Sequence, residues 1–207
     1  MKLRSIMSAL AAMLACVPLL ASAGNVLLTD IASISVNGVP GVLRGGSIWA
    51  PAPAALAVQT VFDGSFRPTG TLWTDGTFWW DELATSGNAV TIEVQLNAAR
   101  SLDRFVVQGD DNENYLVDWW DGAAWQLAYT AAAVNTFGME TRDSGLLTPV
   151  STDRLRIRAQ GCDPYYALSE VQAFEANRVP EPGSLAPAVL AAAALVSTSR
   201  RRQQPGR

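Results

Sequence analysis

The residues best suited to chemistry in this chain are its indoles and its carboxylates. There are seven tryptophans, and four of them form the adjacent pairs Trp79/Trp80 and Trp119/Trp120. Successive side chains of a strand face opposite ways, so one member of each pair must point away from the core. An outward indole needs something flat and apolar to pack on, and the face of a sugar ring is such a surface. Trp79 and Trp119 are the expected sugar-stacking residues. Nineteen acidic residues are present, and a carboxylate glycosidase needs only two, held across the bond to be cut. No spacing singles out such a pair. The run Asp110-Asp111-Asn112-Glu113-Asn114 invites a metal-loop reading, but it has neither the length nor the ligand spacing of a calcium-binding helix–loop–helix. It is expected to be a solvated turn. The chain has no histidine, and its single lysine is Lys2. Imidazole general bases, histidine-held metals and Schiff-base lysines are therefore excluded beyond the leader, and a serine nucleophile would lack an activating base. An enzyme is not expected. Of the two cysteines, Cys16 falls in the leader, so Cys162 has no intrachain partner and is expected to be a small buried hydrophobe.

The elements that must hold these residues read as strands. Val90 to Leu96 alternates, with Val90, Ile92, Val94 and Leu96 on one face and Thr91, Glu93 and Gln95 on the other. Asn97 to Ser101 is expected to break that strand before Arg104 to Gln108 forms another. Tyr115 to Trp120, Trp125 to Tyr129, Arg154 to Ala159 and Leu168 to Phe174 follow, and Asp121-Gly122 is a strong hairpin turn. No helical period appears between Gly24 and Glu175. The pattern predicts an all-β antiparallel β-sandwich over 24–176.

The two ends have a different character. Lys2 and Arg4 precede an apolar stretch from Ile6 to Leu20, and Ala21-Ser22-Ala23 is a small-residue cleavage site. Residues 1–23 thus read as a signal peptide, a helix removed by signal peptidase after Ala23. A rival reading takes Met13-Leu14-Ala15-Cys16 as a lipoprotein box. At the other end, Val179-Pro180-Glu181-Pro182 is a stiff, extended joint. The apolar run that follows would make a transmembrane helix, and Arg200, Arg201 and Arg202 would mark its cytoplasmic side. The body would then lie outside the membrane. Between Gly24 and Pro182 nine basic residues face nineteen acidic ones, and an acidic body repels phosphate backbones, so nucleic acid is not an expected partner.

The ordered triple of Val179-Pro180-Glu181-Pro182, apolar span and Arg200-Arg201-Arg202 resembles the PEP-CTERM sorting signal, over residues 177–207. The resemblance implies an exported protein, held transiently at a membrane by its C-terminal helix and processed by an exosortase. It would end at the cell surface or in the extracellular matrix of a polysaccharide-producing bacterium. Pro187 within the span, and Gln203 to Arg207 beyond the arginines, depart from that pattern.

The body resembles the discoidin, or F5/8 type C, family of galactose-binding-like jelly rolls. The residues that carry the likeness are Phe62-Asp63-Gly64, Thr77-Phe78-Trp79-Trp80, the strand from Val90, Val107-Gln108-Gly109-Asp110-Asp111-Asn112, Arg154-Leu155-Arg156-Ile157 and Tyr166 to Phe174. It implies glycan binding through loops at one end of the sandwich, and a structural Ca²⁺ to which Asp63 and Glu170 would contribute, tying the domain's ends together. The alternative is that Asp63 caps a turn and Glu170 pairs with an arginine such as Arg67. The expected function is a non-catalytic sandwich that associates with extracellular polysaccharide. A purely structural or adhesive envelope protein and a carboxylate-based glycan hydrolase are the alternatives.

Overall fold

A computed structural model of the chain describes residues 24–85 and 88–176. The expectations for Ala21, Ala23 and Cys16, and for Val179, Pro180, Glu181, Pro182, Arg200, Arg201 and Arg202, lie outside those residues. So do the two expected terminal helices. Among the described residues no helix is long and apolar enough to cross a membrane.

The described part is an antiparallel β-sandwich of eight strands: β1 Ile31–Asn37, β2 Phe78–Asp81, β3 Thr91–Gly109, β4 Glu113–Trp120, β5 Trp125–Ala131, β6 Glu140–Asp143, β7 Val150–Gly161 and β8 Tyr165–Glu175. Its helical content is one short turn, α1 Val26–Thr29, and a 3-10 segment, Val58–Phe62.

The long strand β3 serves both layers. Its first half pairs with β1 on one side and β7 on the other, and β7 continues to β4 and β5. The register slips between Gln95 and Arg100. Beyond that slip β3 pairs with β7 again over Arg100 to Leu102 and then with β6 and β8, and β8 carries β2. The expected break at Asn97 to Ser101 is therefore a bulged passage from one layer to the other, with the strand continuing through it.

Period-2 alternation is what makes the sandwich close. Ile92, Val94, Leu96, Leu155 and Ile157 are buried in the main core with Phe105, Val107, Val117 and Val171. Thr91, Glu93 and Gln95 lie on the outer side and are half-buried. The domain's ends meet directly. The Asn25 side chain accepts the N–H of Leu27 at the start of α1 and the N–H of Ala173 in β8, both at 3.1 Å.

A second apolar cluster lies on the other side of β2 and β8. It contains Trp73, Trp79, Met139 and Ala167, with Leu43, Trp49 and Tyr165 packed against it. Trp79 does point away from the main core, as its place in the strand requires, but the loops over that face cover it. It is buried to 2% exposure, and its indole N–H donates to the Pro53 carbonyl at 3.1 Å. The expectation of an exposed Trp79 is corrected on this ground. Trp80, facing the main core, packs on Tyr166 at 5.4 Å between ring centroids.

Candidate functional site

The turn between β3 and β4 is where the structure departs most from sequence reasoning. Asp110, Asp111 and Glu113 are buried rather than solvated. Loops distant in sequence close over them. The Asp111 carboxylate accepts the N–H of Gly138 at 3.1 Å, and its carbonyl accepts those of Val134 and Asn135. Met139 N–H in turn donates to the Thr71 carbonyl at 2.8 Å. Gly138 has φ 68°, and a Cβ there would strike that same Thr71 carbonyl. Only glycine lets the two loops approach this closely.

From beneath, the Tyr115 hydroxyl accepts the N–H of Asp110 at 3.2 Å and of Ala167 at 3.0 Å. Arg142 is buried beside it. Its guanidinium donates to the carbonyls of Asp110 and Glu113, at 2.8 and 3.2 Å.

Between this turn and the loops lies a pocket of about 360 Å³. Its aromatic wall is Trp49, Trp73, Tyr165 and Phe137; its polar wall includes Asp110, Asp111, Asn112, Asn135 and Asp163. The rings brace one another edge to face: Trp49 lies 5.8 Å from Trp73 and 6.4 Å from Tyr165, and Trp73 lies 5.5 Å from Trp79. The Asp163 carboxylate accepts the N–H of Tyr165 at 2.8 Å and the side chain of Asn112 at 3.2 Å, so it is fixed at the rim. The Trp73 indole is buried, and its N–H has no acceptor among the described residues.

Burial pushes the Asp110 carboxyl up to about 6, and the neighbouring Asp111 charge adds to it. Glu113 lies behind the pocket, fully buried, with neither carboxylate oxygen bonded among the described residues. Its carboxyl is pushed up to about 9, chiefly by burial and then by the charges of Asp110, Asp163 and Asp111.

The structure brings Asp63 and Glu170 to one turn. Both Glu170 oxygens accept the Gly64 N–H, at 3.2 and 3.1 Å, while Asp63 caps Ser65 at 2.8 Å. Glu170 is fully buried, and burial raises its carboxyl to about 7. Arg67 donates to the Gly76 carbonyl instead, and among the described residues no arginine forms an ion pair with Glu170. The two carboxylates are donors of the kind a hard cation takes, with backbone carbonyls needed for the rest. Among the described residues no group of three or more such side chains is gathered around one point.

Trp119 is half-buried and packs against the main core. It is Trp120 that faces outward, which corrects the choice within that pair. Trp120 packs on Trp125 at 5.4 Å, and Arg154 lies over its ring at 4.5 Å. The outward indole is thus met by a guanidinium of the same sheet. Cys162 is exposed rather than buried, because it sits in the turn from β7 to β8. Sequence reasoning missed Trp49, Trp73, Phe137, Tyr165 and Asp163. The acidic run at Asp110 was the available signal.

No family model matches the chain, and no curated protein matches it. Solved structures of similar arrangement include family 32 carbohydrate-binding modules. One, from C. perfringens NanJ in complex with galactose, is 12% identical, with 73% of this chain and 98% of that one covered and a TM-score of 0.47. One from Streptococcus pneumoniae EndoD is 11% identical, with 74% and 100% covered and a TM-score of 0.46. A two-module structure from Clostridium perfringens ZmpB is 18% identical, with 72% of this chain and 35% of that one covered and a TM-score of 0.48.

Proposed function

We propose that the domain is a non-catalytic glycan-binding β-sandwich, carried by an exported protein that associates with extracellular polysaccharide. The pocket walled by Trp49, Trp73 and Tyr165 on one side and Asp110, Asp111 and Asp163 on the other carries this reading. Sugars need both kinds of surface at once: aromatic faces for their C–H patches and fixed acceptors for their hydroxyls. A carbohydrate array probed with the full-length protein tests it. Saturable binding that Trp49→Ala removes supports the proposal, and no binding to any carbohydrate overturns it in favour of a structural or adhesive role.

The hydrolase alternative would draw on the same acids, since Asp110 has the raised carboxyl that a general acid requires. Against it, Asp111 and Asp163 are held by backbone N–H groups, and Glu113 stands outside the pocket wall. Turnover of labelled polysaccharide, abolished by one carboxylate→amide change, would establish that alternative.

Two further parts of the proposal rest on sequence. Signal peptidase cuts after Ala23, and an exosortase processes the chain at Val179-Pro180-Glu181-Pro182 after the C-terminal helix has held it at the membrane. Intact mass of the protein from medium and from membranes reads both cleavages. A structural Ca²⁺ at Asp63 and Glu170 would neutralise a fully buried carboxylate that no arginine among the described residues pairs. Melting unchanged by chelator would rule that ion out.

A further inference from the structure

We propose that this pocket selects glycan units bearing a free ammonium group, that is, amino sugars that are not N-acylated, over neutral, N-acetylated and uronic units. The inference rests on the reading of the pocket as a glycan site and adds the charge of its ligand.

The polar wall is acidic. Asp110, Asp111 and Asp163 line it, and among the described residues no arginine or lysine does. The two nearest cations are both spoken for. Arg142 gives its guanidinium to the carbonyls of Asp110 and Glu113. Arg44 lies over the Tyr165 ring, 4.4 Å from its centroid, but is held in an ion pair with the buried Asp81 at 2.6 Å. Three carboxylates line the pocket and no cation does, so it presents net negative charge, which Arg142 behind Asp110 offsets only in part. A uronate entering it would add like charge in a partly dehydrated site, whereas an ammonium would relieve that repulsion.

The aromatic wall suits the same ligand. Trp49 and Tyr165 are half-buried and present partial ring surface, on which a sugar can stack and toward which a cation is drawn. The Trp73 indole, 3% exposed, lines the pocket with an N–H that lacks an acceptor. A buried donor of this kind is costly unless a ligand oxygen meets it. A bare metal ion fits poorly: no three carboxylates converge among the described residues, and four of the twelve lining residues are aromatic.

The test is titration of the full-length protein, in detergent at low salt, with four probes: a glucosamine trimer, its N-acetylated counterpart, a galacturonic acid trimer and trilysine. The expected result is tenfold or more tighter binding of the glucosamine trimer than of the other two sugars, weakening as salt is added. Asp163→Asn should remove the preference while leaving residual sugar binding, and Trp49→Ala should remove binding altogether. Equal binding of the free and N-acetylated trimers overturns the ammonium preference while leaving the glycan reading in place. Binding of trilysine alone overturns both. Should Asp163→Asn fold poorly, salt dependence of the native protein decides: salt-insensitive binding also overturns the inference.

Discussion

Arg142 donates to the backbone carbonyl of Asp110 at 2.8 Å and, among the described residues, forms no ion pair with that residue's carboxylate. A buried arginine inside an acidic cluster is thus used to hold the turn in shape. Arg142→Met would leave the carbonyls of Asp110 and Glu113 without donors. A loss of about 2–4 kcal/mol is expected, read by denaturant unfolding. A loss below about 0.5 kcal/mol, the level of an ordinary surface change, would contradict this role.

Glu113 makes the domain's stability depend on pH. Its carboxyl ionises near 4.5 when unfolded and near 9 when folded. Between these values the folded state keeps a proton that the unfolded chain has released, so stability is full below the lower value and falls as pH rises through the window. Asp110 adds a smaller fall between 3.8 and about 6. Glu113→Gln should flatten the decline, and near pH 8 the variant should melt higher by roughly 2–4 °C, as expected for a gain of about 1 kcal/mol in a domain of this order of size. Melting curves across pH check this. An unchanged slope would contradict it.

Gly138→Ala should destabilise the domain by at least about 2 kcal/mol, since it adds strain at positive φ to a collision with the Thr71 backbone. Thermal melting reads the loss, and sugar binding should fall with it because the loop carrying Phe137 must shift. A neutral result would show that the two loops are not locked together.

The strands were largely legible, because burial in a sandwich follows a period of two that Val90 to Leu96 and Arg154 to Ala159 display openly. The pocket was not. Alternation tells which way Trp79 points but not that loops from elsewhere in the chain cover that side. In the same way, Asp110 and Asp111 have the composition of a surface turn, and they are buried by Gly138 and Trp73, more than twenty residues away on either side. Within the pair Trp119/Trp120, Trp119 follows Tyr115 and Val117 inward by alternation, but Leu116 and Asp118 on the opposite face are buried as well, so local sequence does not announce which face is the core.

The two tryptophan surfaces should behave differently. Trp120 is already covered by Arg154 at 4.5 Å, so Trp120→Ala should leave carbohydrate affinity within about twofold while costing stability, whereas Trp49→Ala should abolish binding. Calorimetric titration of both variants distinguishes them. Loss of binding in Trp120→Ala alone would move the site to the outer face of the β4–β5 sheet.

The most direct test of the pocket as the binding site is to follow the indole N–H resonances of the full-length protein while an oligosaccharide is added. The resonances of Trp49 and Trp73 should shift together and saturate, with that of Trp73 moving as its N–H gains an acceptor, while those of Trp120 and Trp125 stay in place. Saturable shifts confined to Trp120 and Trp125, or none at any indole, would contradict the account.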